Sequence, residues 1–331
     1  MMDFAALAKA AALAEPQAAG TVPILHDRTL YLDGDGLAYY CAGNDETELA
    51  EARGRLLTKV QAMHRASSAG KVIILLTGSG GHKGHRYAIA RVKPYQAQRA
   101  NSRRPKNWQG LRTMLEDGVF GEVIIDYDRE ADDRFAQFGH ADPTNTVIGT
   151  QDKDMQMVPG YHIDWADNRM FYLAPGVDAM FNDKQFGIRW FWLQMLQGDG
   201  ADNIPGLPLA RCKYGGGPIN AQLPLNKIGA AGAEKILLAH EALGAAATVA
   251  LAYQSFYARR WLVEMMEQAA LLWMRHTPAA QWDDFCKGGP LGVFETEAEY
   301  DTAYDEIAQR VKEASDLNTL SAQVQRDSSS T

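Results

Sequence analysis

Four short apolar runs, TLYLD (29–33), KVIILLT (71–77), EVIID (122–126) and NTVIG (145–149), recur along the first half of the chain, most of them rich in β-branched residues. Stretches of helical character separate them, at 46–69, about 107–117 and 129–138. Strands alternating with helices make βαβ units, so the expected fold is α/β: a three-layer sandwich with a mostly parallel central sheet and helices on both faces. In such sheets the groups that meet ligands collect outside the carboxyl ends of the strands.

Acidic residues fall at those ends. Asp33 closes the first run in LYLDGDGLAYY, and Asp35 follows; DYDREADD supplies Glu130, Asp132 and Asp133 after the third run; TQDKDMQMVPG supplies Asp152 and Asp154 after the fourth. Later, QGDGADNIPGLP adds Asp199 and Asp202, three apart and on one face if helical. Each cluster alone reads equally well as a turn, a helix start or a loop. Together, in order and at strand ends, they aim nine carboxylates at one crevice. Such a group would repel itself unless cations neutralise it, and oxygen donors without imidazole or thiolate beside them select Mg²⁺ or Mn²⁺.

The 331-residue chain carries a formal net charge of −8, which at first argues against a nucleic-acid partner. Removing the nine clustered charges takes the net to +1. Residues 82–112 hold nine Lys or Arg and no Asp or Glu, with Tyr87, Tyr95 and Trp108 interleaved as stacking faces. A one-signed run of this kind suits a surface that follows a phosphate backbone; the alternative is a solvated loop and helix face. No run approaches the roughly 18 apolar residues of a membrane span. The Ala-rich start carries Asp3, Lys9 and Glu15 and reads as a frayed helix or tail, not a signal peptide. Three distant cysteines, Cys41, Cys212 and Cys286, argue against a disulfide framework and for a reducing cytoplasm.

The order DGDG, EADD, DKDM and GDGADNIPGLP, followed by KIGAAGAEKIL at 227–237, resembles the structure-specific 5′-nucleases: flap endonucleases, the 5′-nuclease domain of DNA polymerase I and bacteriophage 5′–3′ exonucleases. The resemblance covers roughly residues 28 to 240. Its most specific part is the helix-hairpin-helix pattern that holds duplex DNA, and KPYQAQR (93–99) is similar to the family's basic segment beneath the arch that admits single strand. The resemblance implies a PIN-like nuclease core at 24–197 with an arch-like segment 82–112, after an N-terminal extension 1–23. It further implies a helix-hairpin-helix module at 198–240, which a Gly/Pro-rich stretch that reads as a loop insertion interrupts at 209–226; outside the resemblance, 241–318 read as a C-terminal helical extension and 319–331 as a disordered tail.

The function so implied is metal-dependent hydrolysis of phosphodiester bonds at or near 5′ ends of DNA, by exonuclease or flap cleavage, using two Mg²⁺ or Mn²⁺ ions. Asp33, Glu130, Asp132 and Asp133 are assigned to the first ion. Asp152, Asp154, Asp199 and Asp202 are assigned mainly to the second. Lys83, Arg86 and Lys93 are the candidates to hold the scissile phosphate. Arg91, Tyr95, Arg99, Arg103, Arg104 and Lys106 are expected to bind DNA, as are Gly206, Lys227, Gly229, Gly232 and Lys235 of the hairpin module, with a monovalent cation there. The partners expected are DNA with 5′ ends, flaps or nicks, and RNA in RNA–DNA hybrids. The protein is expected to be a monomer without membrane contact, in the host cytoplasm if phage-encoded.

The sequence also departs from the pattern. Gln96 stands where the basic segment usually has Lys, which shifts that role to Lys93, Arg99 or Arg86. Thr77 and Gly78 end the second strand where relatives often place an aspartate, so Asp35 is the acid expected to complete the first metal site. DGDGL, LLTGS and GDGADN also imitate a haloacid-dehalogenase-type phosphatase, although Leu37 replaces its Thr or Val and READD and DKDM have no place in that scheme. A third reading is a DNA-binding relative with a decayed metal site.

Overall fold

A computed structural model describes residues 24–207, 228–279, 281–286 and 289–329. The 1–23 extension, the 209–226 insertion with Cys212, and Lys227 lie outside the described residues. The chain divides into two compact units, one holding the chain up to Gly81 and Ser102–Gly187, the other His82–Asn101 and the chain from Ile188. The 82–112 segment is therefore not one insertion within the core: it is cut after Asn101.

The first unit is built on a six-stranded sheet of order β3-β2-β1-β4-β5-β6, comprising β1 (Leu25–Asp33), β2 (Ala69–Thr77), β3 (Glu122–Asp126), β4 (Thr146–Gly149), β5 (Gly160–Ile163) and β6 (Met170–Leu173). All pairs are parallel except β5 with β6. The four strands expected from sequence are β1 to β4, which lie side by side from the β3 edge inward, with β1 and β2 extended at their amino ends. The hairpin β5–β6 and a two-stranded ribbon, β7 (Ala179–Phe181) and β8 (Lys184–Phe186), complete the unit.

Alternation along β1 shows how the layers form. Leu30 and Leu32 join a core with Leu37 of α1 (Gly34–Cys41), Leu56, Val60 and Met63 of α2 (Leu49–Ser67) and Leu111 and Leu115 of α3 (Trp108–Glu116). Tyr31, between them, stacks on Phe138 of α4 (Ala131–Ala141) with ring centroids 4.4 Å apart. Each fully buried leucine contributes about 2 kcal/mol of apolar transfer. Val72 to Leu76 of β2 are buried without a break, as expected for a parallel strand covered on both faces.

The second unit is helical, with α5 (Ile188–Gln197), α6 (Ala230–Ala239), α7 (Ala245–Tyr257), α8 (Trp261–Leu272) and α9 (Tyr300–Ser329). Nearly every residue of α8 is buried, which marks it as the core helix. Its Glu267 accepts the backbone N–H groups of Arg91 and Val92 at 2.8 Å each and pairs with Arg310 of α9 at 2.6 Å. That buried carboxylate fastens the 82–101 segment to the helices, which explains the division of the chain. The tail expected to be disordered from 319 is instead helix as far as Ser329. No helix among the described residues is long and apolar enough to cross a membrane.

Candidate functional site

β1 ends at Asp33, which caps α1: Oδ1 accepts the Gly36 N–H at 2.7 Å, and Oδ2 accepts the Thr150 hydroxyl at 2.8 Å. A Cβ on Gly36 would lie 2.3 Å from Asp33 Oδ2, so only glycine lets this backbone approach the carboxylate so closely. The strand order reverses between β1 and β4, and the crevice outside their carboxyl ends is where open α/β sheets take ligands.

Glu130 sits at the cap position of α4, with Asp132 and Asp133 in its first turn, where the positive end of the helix favours negative charge. Beyond β4, Asp152 caps the short turn Lys153–Met157 by accepting the Asp154 N–H at 2.9 Å. Glu130 and Asp154 are buried, Asp133 has no exposed surface, and Asp152 is exposed. Burial raises the Asp33 carboxyl to about 6, against the Gly36 and Thr150 hydrogen bonds that lower it, with Asp35 and Asp152 adding repulsion. Burial, then the charges of Asp152, Asp33, Glu130 and Asp154, push Asp132 well above the ordinary carboxylate range. Asp33 and Asp132 thus feel each other's charge or that of Asp35, Glu130, Asp152 and Asp154, six acids at one sheet edge. Their donors are all carboxylate oxygens, a set that fits a hard divalent cation.

Asp35 does not join this set as a ligand. One oxygen is paired with the guanidinium of Arg112, and the other accepts the Thr77 N–H at 2.8 Å. Thr77, at the edge where an aspartate was missed, ties three elements together. Its carbonyl accepts from Arg112 at 2.8 Å, and its hydroxyl accepts the Ala131 N–H at 3.0 Å, capping α4. Thr150, Thr77 and Arg112 were not singled out for this site from sequence. In the sequence Thr77 is notable only as standing where an aspartate is often found, Arg112 only as one of the basic run, and Thr150 as the residue opening TQDKD. Asp126 also went unremarked: it is buried and accepts from Arg129 and Arg134, fixing the loop that leads to Glu130.

The basic residues separate into classes that charge alone could not distinguish. Arg86 is fully buried and donates to the carbonyls of Leu271 and Trp273, which removes it as a phosphate ligand. Arg112 is buried on Asp35 and Glu116. Tyr95 and Trp108 are buried too, leaving only Tyr87 of the three expected stacking rings exposed. Arg91, Lys93, Arg103, Arg104 and Lys106 are exposed, Arg104 lying 4.2 Å over the Trp108 ring. In the second unit Asp202 accepts from Tyr95 Oη at 2.8 Å, from Gln96 Nε2 at 3.0 Å and from Arg99, while Lys83 Nζ donates to Gln96 Oε1 at 2.5 Å.

The hairpin residues are also redistributed. Gly198 and Gly206 pack backbone on backbone, a Cβ on Gly206 lying 2.2 Å from Gly198 N. Gly206 N–H donates to Gln268 Oε1 at 3.0 Å inside the core, so it cannot serve a phosphate. Asp199 is buried and accepts the Ala201 N–H at 2.8 Å. Gly229 caps α6 at the surface, with Gly232 one turn on and Lys235 exposed.

No protein-family profile and no curated protein matches the sequence. Among solved structures, the bacteriophage T5 D15 protein co-crystallised with metal ions superposes with a TM-score of 0.51, covering 86% of this chain and 99% of that one at 15% identity. The chain shares that protein's fold. The T5 D15 flap endonuclease in a pseudo-enzyme–product complex with DNA and metal ions matches over the same shares at 15% identity and a TM-score of 0.48.

Proposed function

We propose that the protein is a divalent-metal-dependent nuclease that hydrolyses phosphodiester bonds at or near 5′ ends of DNA. The observation that carries this reading is the convergence of Asp33, Glu130, Asp132, Asp152 and Asp154 at one sheet edge, with Asp132 pushed well up by burial and then by the charges of the other four. A protein keeps such a self-repelling group only where cations offset it. The fold shared with a protein crystallised with metal ions supports the same conclusion.

Bound there, a pair of Mg²⁺ or Mn²⁺ ions would acidify an attacking water and balance charge on the leaving oxygen. The chain's own part is positional. Thr150 and Gly36 fix the Asp33 carboxylate, the α4 start presents Glu130, Asp132 and Asp133, and the 152–154 turn presents Asp152 and Asp154. The resemblance extends metal binding to Asp199 and Asp202, and DNA binding to the exposed cations Arg91, Lys93, Arg103, Arg104 and Lys106 and to Gly229, Gly232 and Lys235. The substrates proposed are 5′ ends, flaps and nicks, recognised by shape and backbone charge.

The phosphatase reading is less well supported. It uses Thr77 as a substrate-binding hydroxyl, whereas that oxygen here accepts the first N–H of α4, and it gives Asp132, Asp152 and Asp154 nothing to do. The experiment is cleavage of 5′-labelled flap, nicked and blunt duplexes with Mg²⁺ or with EDTA, and with the Asp132→Asn, Asp133→Asn double variant. Metal-dependent cutting abolished in the variant is expected; phosphate-ester turnover without DNA cleavage would establish the phosphatase.

A further inference from the structure

The first unit holds a cavity of about 320 Å³ beside the carboxylate cluster. Thr150 and Asp152 belong to both. Thr150 donates its hydroxyl to Asp33 and accepts the Asp152 N–H at 3.0 Å, and Asp152 is one of the charges that raise Asp33 and Asp132. Asp152 and Ala166, both lining the cavity, are exposed, so it reaches the surface next to the cluster.

The lining is aromatic with a few polar groups, the composition of a site for a small planar ligand. Trp165, His162 and Phe186 are buried there, the last two edge to face with ring centroids 5.0 Å apart. His162 Nε2 lies 2.8 Å from the Val158 carbonyl, and burial lowers the ring to about 4, so the proton rests on Nε2 and Nδ1 is a bare acceptor. Asp164 adds a carboxylate. Hydrogen bonds from Asn182 at 2.9 Å and from the Ala166 N–H at 2.8 Å hold it below the ordinary range, with Lys184 no nearer than 4.0 Å. The buried indole N–H of Trp165 has no acceptor among the described residues. Two acceptors and an indole donor complement an amino group next to a ring nitrogen, the pairing edge that cytosine and adenine share. Thymine would set a carbonyl against the carboxylate.

We propose that this cavity receives one unpaired nucleobase of the bound strand, taking cytosine or adenine in preference to thymine. The ligand class rests on the nuclease reading above. Aromatic walls hold a base by stacking, and its pairing edge becomes available to polar groups only once it has left the duplex.

The test is titration of the full chain with deoxycytidine, deoxyadenosine and thymidine in EDTA, followed by saturation-transfer NMR. Uncharged nucleosides draw on neither phosphate nor metal binding. Deoxycytidine and deoxyadenosine should bind roughly tenfold more tightly than thymidine, the scale of one base-edge hydrogen-bonding pair. Asp164→Asn, which keeps the shape and removes the charge, should bring that ratio to within about twofold. Ala166→Trp, which fills the exposed rim, should weaken binding of all three, and thermal melts confirm that both variants fold. Equal affinities, no binding up to millimolar nucleoside, or a preference that survives Asp164→Asn overturns the proposal and leaves the nuclease reading standing. The expected preference together with no flap cleavage in Mg²⁺ or Mn²⁺ overturns the nuclease reading and keeps the nucleobase site.

Discussion

The Arg112 guanidinium, nearly closed off from solvent, pairs with Asp35 across 77 positions of sequence and also donates to the carbonyl of Thr77. The second aspartate of DGDG thus links α1, α3 and the end of β2. Asp35→Asn should lower stability on the order of 1–2 kcal/mol, because it removes one of the two carboxylates paired with the buried Arg112 while Glu116 remains, and it should leave the Mg²⁺ concentration for half-maximal activity within about twofold. Chemical denaturation and a metal titration check the two halves. A large rise in the metal requirement would return Asp35 to the metal site.

Asp33 and Asp132 behave in the opposite way. Either change to Asn should cost roughly 10²–10³-fold or more in single-turnover rate, on the scale of direct electrostatic groups. In EDTA neither should destabilise the fold, since each removes a charge that its neighbours repel. Melting curves beside rapid-quench rates show whether the two effects separate.

The raised Asp33 carboxyl, about 6 against 3.8, also fixes a pH dependence. Between about pH 4 and 6 the native protein holds a proton that the unfolded chain has released, so this group's contribution to stability falls as pH rises through that window. His85 and His162, lowered by burial to about 4, act in the opposite direction: the unfolded chain takes up their protons below about 6.5, so their contribution is lost as pH falls from about 6.5 to about 4. The readout is therefore the difference between wild type and Asp33→Asn in EDTA. The variant's advantage should grow from pH 4 to pH 7, to on the order of 2 kcal/mol, and Mg²⁺ should remove it.

Arg103 and Lys106 rest on Asp45 and Glu48 in exposed pairs, at 3.1 and 3.5 Å, of the kind that contribute little. They can exchange these partners for phosphates. Neutralising Arg103, Arg104 and Lys106 together should flatten the log–log salt dependence of DNA binding by up to about 2–3 units. Arg86→Met should instead lower the melting temperature, because it leaves buried carbonyls without their donor.

The central sheet was legible because β-branched runs at parallel-strand length are nearly unambiguous, and each acidic cluster directly follows one. β5 to β8 were not, since GYHI, MFYL, AMF and KQF are too short and mixed to stand out from loops. The basic run showed charge but not burial: nothing in the sequence separates Arg86, held by carbonyls of residues 271 and 273, from the exposed Lys93. The same holds for Asp35. Its partner lies 77 residues away, and an aspartate that binds a metal and one that binds an arginine look alike until the chain folds. The 82–101 segment left its helical neighbours unannounced, because its anchor is one buried glutamate, Glu267, in a mostly apolar helix.

The most direct measurement is product analysis of a 5′-labelled flap duplex incubated with the wild-type protein in Mg²⁺, in EDTA, and with Asp132→Asn, a small phosphate ester serving as control. Short 5′-labelled products that form only with the metal, vanish in the variant and are accompanied by no ester hydrolysis are the expected result. Ester hydrolysis without DNA cleavage, or cleavage undiminished by EDTA or by the Asp132 change, would contradict the assignment of the carboxylate cluster as a metal-dependent nuclease centre.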